Sequence, residues 1–363
     1  MKKKIVIIGG GFAGCELAKS LESVAEVTLV DPKDSFVHTP ATIRAVVDPG
    51  LVDQLIIPYN DFIKEGRVIK GWINKIDRDG VILADGQNID GDIIIVATGS
   101  EYAAPFKSAD ADLGKFRNAQ KLAHEQLIDA KTIAIVGAGP VGTELAGEIA
   151  SSPLEKEVHL ISAETSLFPI YKPAFASKLT EQLEKLGVKI HLNSAVADLQ
   201  SLTSPYAGSV KFERGGGVDA DLVFPVVGSR PKASLLHEID DVVFDTDGRA
   251  QHDGWMHPSP SRPNLFALGD ILASGEAMTI VSISRQVPWL SKAIAGYIEG
   301  SALDAAKKYV PWPLAPILLP MGPEVGASML PIGKQGLVAG PFVTRQMKGK
   351  HLFIPKYRKF FGA

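Results

Sequence analysis

One pattern of about twenty residues occurs twice in this chain of 363. KKKIVIIGGGFAGCELAKSL near the start returns in outline as AKTIAIVGAGPVGTELAGEI about 130 residues later. Each copy reads as a short apolar run, a glycine turn and a helix. A second apolar run follows, EVTLVDP in the first copy and EVHLISA in the second. Continuous apolar runs bounded by glycine mark strands buried on both faces, as in a parallel sheet, and the helix supplies the crossover that parallel neighbours require. Short alternating segments come next, GRVIKGWINKIDRDGVILADGQNID and GVKIHLNSAVADLQSL. Each unit then closes on a strand ending in glycine, DIIIVATGS at 92–100 and DLVFPVVGSRP at 221–231. The repeat predicts an α/β chain of two Rossmann-like, doubly wound units.

SRPNLFALGDI at 261–271 does not open a third unit. It is one extended stretch ending in Gly-Asp, followed by a helical pattern from Ala277 to Glu299, and it reads as a return to the first unit. Residues 1–110 with 244–302 then form the first domain and 111–243 the second. From 303 onward, KKYVPWPLAPILLP is too rich in proline for a helix, because proline lacks the N–H and clashes with the preceding turn. Residues 303–363 are expected to be a small C-terminal α+β domain with a basic, aromatic tail.

The single cysteine, Cys15, excludes an internal disulfide, a cysteine-based metal cluster and a CxxC redox pair. It is expected to be a buried packing thiol on the first helix. No metal site is read from the sequence. The N-terminal Met1-Lys2-Lys3-Lys4 before IVII imitates a secretory leader, but the apolar run stops at Gly9, short of the roughly 7–15 residues such a leader needs. Nor does any stretch approach the roughly 20 apolar residues of a membrane span. A cytoplasmic protein, or one peripheral to a membrane, is expected. The net charge of −3 hides an asymmetry: the last 39 residues carry +7, leaving −10 on the rest.

Gly9-x-Gly11-x-x-Gly14 follows a strand and opens a helix, and Asp31 ends the next strand. The first glycine makes the tight turn, the second lets the backbone approach a diphosphate, and the third lets helix and strand pack. With Phe12 and Ala13 between them, the turn offers free N–H groups and the positive end of a helix dipole to the phosphates. Asp31 can accept from ribose hydroxyls. Gly137-x-Gly139-x-x-Gly142, with Pro140 and Val141 inside it, repeats the device. The position matching Asp31 falls near Ser162 and Ala163, with Glu164 just beyond, so NADH and NADPH both stay open as donor. Gly228 closes the second unit. Two dinucleotide sites on one chain imply two cofactors, and direct transfer between them needs one to be a flavin.

These ordered motifs resemble the flavin-dependent pyridine nucleotide-disulfide oxidoreductase superfamily, with its glutathione-reductase-like FAD/NAD(P) fold. Ala97, Thr98 and Gly99 in DIIIVATGS match its ATG motif, and Gly269 with Asp270 in LFALGDI match its second FAD motif. Within the superfamily, DPKDSFVHTPATIRA at 31–45, LLPMGPEVGASMLPIG and KGKHLFIPKYRKFFG are similar to the apoptosis-inducing-factor-like group, which includes a ferroptosis-suppressing ubiquinone reductase. The resemblance implies FAD on the first motif, NADH or NADPH on the second, and NAD(P)H:quinone oxidoreductase activity. Hydride would pass to flavin N5, then two electrons to a quinone or other small acceptor. Disulfide and sulfide chemistry are set aside, since both depend on cysteines that one Cys15 cannot provide.

The same resemblance assigns residues. Glu144 matches a glutamate near nicotinamide and flavin, and Glu148 lies one turn further along the helix. Lys33, Phe36, His38, Thr39, Pro40 and Arg44 are expected to follow the flavin, with His38 as a proton source for reduced quinone because imidazole titrates near neutrality. Met278 and Thr279 are expected to offer backbone N–H groups to the flavin at a helix start. Pro288-Trp289 departs from the small residues usual there and points to an altered flavin wall or substrate pocket.

Lys348, Lys350, Lys356, Arg358 and Lys359 alternate with Phe353, Tyr357, Phe360 and Phe361. A solvated face and an anionic membrane surface bound through residues 345–363 are both compatible with that pattern. No glycine at position 2 supports a lipid anchor. Nucleic acid is the weaker partner, because no base-reading motif is visible, and a homodimer stays open. Competing functions are a reductase serving a protein electron carrier or a specialised biosynthetic pathway, and an NAD(P)H-responsive sensor or scaffold.

Overall fold

The computed structural model describes residues 2–60, 62–108, 111–333 and 335–363. Lys334 of the basic tail therefore lies outside the described residues. The first sheet has five parallel strands in the order Leu265–Ala267, Ile93–Val96, Lys4–Ile8, Glu26–Asp31 and Gly66–Lys70. Its central strands are apolar throughout because helices and loops cover both faces; Ile5, Val6 and Ile7 have no exposed surface. The strand 265–267 pairs in register with Ile94–Val96, so the chain does return to the first sheet.

The second sheet has four parallel strands, Lys189–His191, Glu157–Ile161, Thr132–Val136 and Leu222–Pro225. A short antiparallel ladder, Ser100–Glu101 on Arg230–Pro231, joins the two units where the chain passes between them.

The proline-rich stretch is not helical, as expected; its backbone is irregular up to the strand that begins at Ile317. Tyr309 N donates to Gly254 O, and the Tyr309 hydroxyl donates to the buried carboxylate of Glu276 at 2.6 Å. Three antiparallel strands follow, Ile317–Pro320, Gly326–Leu330 and Leu337–Ala339. Then come a short helix, Pro341–Thr344, a π turn, Arg345–Gly349, and the terminal helix Ile354–Phe361.

Two expectations change here. The long helix starts at Ile280, three residues later than expected, because the Thr279 hydroxyl caps it by accepting from Ser282 N at 3.3 Å. The tail is not a free amphipathic strip. Ile354, Tyr357 and Phe361 share one helix face and are buried, and both aromatic rings join the core of the first unit. Tyr357 stacks on Phe36 with centroids 5.7 Å apart, and its hydroxyl donates to Glu16 at 2.6 Å. These two rings are therefore withdrawn from any role inserted in lipid.

Candidate active site

The two glycine turns have the same geometry. Gly9 has φ +107°, and a side chain on it would meet Ala97 O at 2.5 Å; a Cβ on Gly14 would sit 1.8 Å from Gly9 O. Gly137 and Gly142 repeat this at 2.3 Å from Val226 O and 1.9 Å from Gly137 O. The middle glycines differ. Gly11 and Gly139 have nothing within 4 Å of a Cβ, so a cradle opens over each helix start. Among the described residues neither helix has a side-chain cap, which leaves the first N–H groups, those of Phe12, Ala13 and Gly14 and those of Val141 and Gly142, facing that opening. Pro140 takes the first helical position of the second turn, where no N–H is needed.

Asp31 is buried at the end of its strand, accepting from Gly10 N at 2.6 Å, from Lys33 N at 2.8 Å and from Lys33 Nζ at 2.8 Å. Ser162 is buried in the corresponding place of the second unit, where its hydroxyl accepts from Glu164 N. Asp270 accepts from Ser100 Oγ at 2.5 Å and Lys107 Nζ at 3.3 Å, while Gln286 Oε1 holds Gly269 N at 2.8 Å. Sequence reading did not find Ser100, Lys107 or Gln286, since each is brought to the motif by tertiary contact. Gly99 and Gly228 lie open, with φ of +69° and +124°, and the backbone N–H of Ala97 continues the sheet to Ile8 O. Open cradles over two uncapped helices, each beside a buried polar strand end, fit two dinucleotides.

Glu144 and Glu148 come together on the buried face of the second glycine-turn helix. Arg44 grips Glu148 bidentately, with Nε and Nη2 at 2.9 and 2.7 Å from Oε1. Lys348 Nζ reaches Glu144 Oε1 at 2.6 Å. Burial raises both carboxyls above their ordinary range and takes Glu144 to about 7, although Lys348 and Arg44 pull the other way. Arg44 is thus committed to Glu148 rather than running free along the flavin. Lys348 leaves the surface patch altogether and becomes a site residue that the tail's composition had concealed.

On the way to Arg44, Phe36 (in the short strand Ser35–Val37) and His38 are buried, and Thr39 and Pro40, in the 3-10 turn that follows, are half-buried. His38 Nε2 donates to Leu352 O at 2.6 Å, and among the described residues its Nδ1 has no partner. Burial, helped by Lys348, takes its pKa down to about 4. The imidazole is therefore neutral at pH 7, which removes the cationic proton donor expected from the sequence. Thr279 also changes role: its N–H donates to Ala277 O, so the open N–H groups at that helix start belong to Ile280 and Val281, next to Met278. Pro288 lies on the exposed side of the same helix. Trp289 packs edge-on to Tyr309 and donates to Lys307 O, so the pair supports the proline-rich strap. Cys15 is buried, as expected, and burial pushes its thiol pKa well up.

A family model described as pyridine nucleotide-disulphide oxidoreductase matches residues 3–287. Apoptosis-inducing factor homolog B of Dictyostelium discoideum is 31% identical, the match covering 98% of this chain and 96% of that protein. Ferroptosis suppressor protein 1 of Xenopus laevis is 27% identical over 99% and 96% of the two chains. Among solved structures, the sulfide:quinone oxidoreductase of Aquifex aeolicus superposes with a TM-score of 0.79 at 16% identity, covering 99% of this chain and 91% of that one.

Proposed function

This chain belongs to the pyridine nucleotide-disulphide oxidoreductase family, and we propose that within it the protein is an NAD(P)H:quinone oxidoreductase. It is an FAD-dependent enzyme with NAD(P)H as electron donor. The Gly9–Gly14 turn, Asp31, Gly99 and Asp270 would hold the FAD, and the Gly137–Gly142 turn with Ser162 and Gly228 the NAD(P)H. A flavin held there would supply hydride acceptance and two-electron transfer, and these residues would position it for that chemistry.

The observation that carries the acceptor reading is the Glu144–Lys348 pair. Reducing a quinone to a quinol consumes two protons along with two electrons. Glu144 is buried and held at Oε1 by Lys348, and its pKa near 7 lets it release and regain a proton under ordinary conditions. Cys15 offers no competing route, since its thiol is buried and protonated.

Attachment to an anionic membrane surface fits a lipid-dissolved quinone. Among the described residues no helix is long and apolar enough to cross a membrane. Lys350, Lys356 and Lys359 are exposed; Phe342, on the short helix 341–344, is 74% exposed, and Met347, on the turn that carries Lys348, is 45% exposed. Stopped-flow mixing with NADH, then NADPH, followed by a short-chain quinone, tests the proposal. Fast flavin bleaching and fast reoxidation by quinone are expected. Bleaching that only oxygen reverses slowly would favour the sensor reading instead.

A further inference from the structure

Three lysines gather where the two dinucleotide units meet, and only two have carboxylate partners. Lys33 pairs with Asp31 and Lys107 with Asp270. Among the described residues, the Lys232 ammonium has neither a hydrogen bond nor an ion pair, although the residue is half-buried. Its backbone is pinned twice to the ATG turn: Lys232 N donates to Gly99 O at 2.8 Å, and Thr98 Oγ1 donates to Lys232 O at 2.6 Å. That turn abuts the first phosphate cradle, since a Cβ on Gly9 would lie 3.0 Å from Thr98 Cα.

The charges acting on Lys232 are Lys33, Lys107, Asp31 and Glu101, and burial together with the two lysines depresses its pKa. Glu101 is already bound by Arg230 at 2.8 Å, and Asp31 by Lys33 and Gly10 N. Lys33, Lys107, Lys232 and Arg230 thus face Asp31, Asp270 and Glu101, with the surplus positive charge on the residue that has no partner. A half-buried cation in that state favours an anion beside it.

We propose that Lys232 binds the diphosphate of FAD. The cofactor is then held from two sides, by the first helix start and by a lysine delivered from the second dinucleotide unit. Because Lys232 directly follows the ladder joining Ser100–Glu101 to Arg230–Pro231, FAD occupancy also ties the two units together.

The test compares holoprotein carrying Lys232→Met with Lys232→Arg and wild type. FAD release after dilution, followed by recovery of flavin fluorescence, is expected to be about tenfold faster or more in the methionine variant, and close to wild type in the arginine variant. At saturating added FAD, the methionine variant should melt at the wild-type temperature and keep its KM for NADH within about twofold. Wild-type FAD release would overturn the proposal. So would a rise in KM for NADH without faster FAD release, which assigns the lysine to the other nucleotide, or a lower melting point that saturating FAD does not restore, which makes it a packing residue. Lys232→Gln, of similar length and uncharged, serves the same comparison if the methionine variant does not fold.

Discussion

Lys348 Nζ lies 2.6 Å from Glu144 Oε1, joining residues 204 positions apart and fixing the C-terminal segment to the second glycine-turn helix. If that carboxyl exchanges the proton, Glu144→Gln should lower kcat with a water-soluble quinone by about 100-fold and leave bound FAD unchanged. The wild-type rate should change across pH 6–8, because the Glu144 pKa lies at about 7, and the glutamine variant should lose that inflection. Lys348 holds the Glu144 pKa down through its charge and hydrogen bond. Lys348→Met should therefore shift the inflection to higher pH, not lower, in a steady-state pH profile.

Arg44 and Glu148 make a second buried contact, with side chains 12% and 4% exposed. Removing one partner strands the other charge away from water, at about 3–5 kcal/mol. Arg44→Met and Glu148→Leu should each show that loss in urea unfolding. The double variant should recover a substantial part of it, because no buried charge is left alone.

His38 makes stability depend on acidity. Its pKa is about 4 in the fold against an ordinary 6.5, so the folded state resists the proton that the unfolded chain accepts. Its contribution is complete above pH 6.5 and lost as pH falls through about 4, on the order of 3 kcal/mol in all. Glu144 has the opposite sign: its raised pKa favours the fold below about 4.5, and that contribution fades as pH rises through about 7. His38→Gln can keep a donor toward Leu352 O without titrating. Denaturation midpoints at pH 7 and pH 4.5 should therefore fall less for this variant than for wild type.

The parts of this site that were legible in the sequence are those where backbone geometry dictates the residue. Gly9 and Gly14 meet carbonyl oxygens at distances no side chain survives, so glycine is required and its spacing can be read. Lys348 was not legible, because its partner is chosen by packing between distant segments and a lysine among lysines carries no signal. The terminal helix could have been read better: Ile354, Tyr357 and Phe361 follow helical spacing and mark a buried face, which the alternating charges obscured. Thr279 was one position off for a similar reason, since a capping residue looks like a helical one until its hydrogen bonds are traced.

The exposed lysines should govern attachment to lipid, each contributing about 1 kcal/mol near an anionic surface. The triple variant Lys350→Glu, Lys356→Glu, Lys359→Glu should lose co-sedimentation with phosphatidylserine vesicles while reducing a water-soluble quinone within about twofold of wild type, since no catalytic contact is altered. Equal sedimentation of both proteins would sink the attachment. Deleting the tail is a poorer test, because it also removes Lys348 and the buried rings of Tyr357 and Phe361.

Glycines of one motif should fail in different ways. Gly14→Ala drives a methyl group to within 1.8 Å of Gly9 O, so helix and strand must separate and the protein should be strongly destabilised or insoluble. Gly11 has an ordinary φ of −83° and open space where its Cβ would be. Gly11→Ala should fold, yet its methyl group occupies the place where a diphosphate approaches the backbone. Purified Gly11→Ala should therefore be soluble and folded by circular dichroism, with flavin absorbance reduced about tenfold or more relative to protein. Gly139→Ala should instead keep its flavin and raise KM for NADH by a similar factor, separating the two cradles on one chain. Full flavin content in Gly11→Ala would place the FAD diphosphate elsewhere.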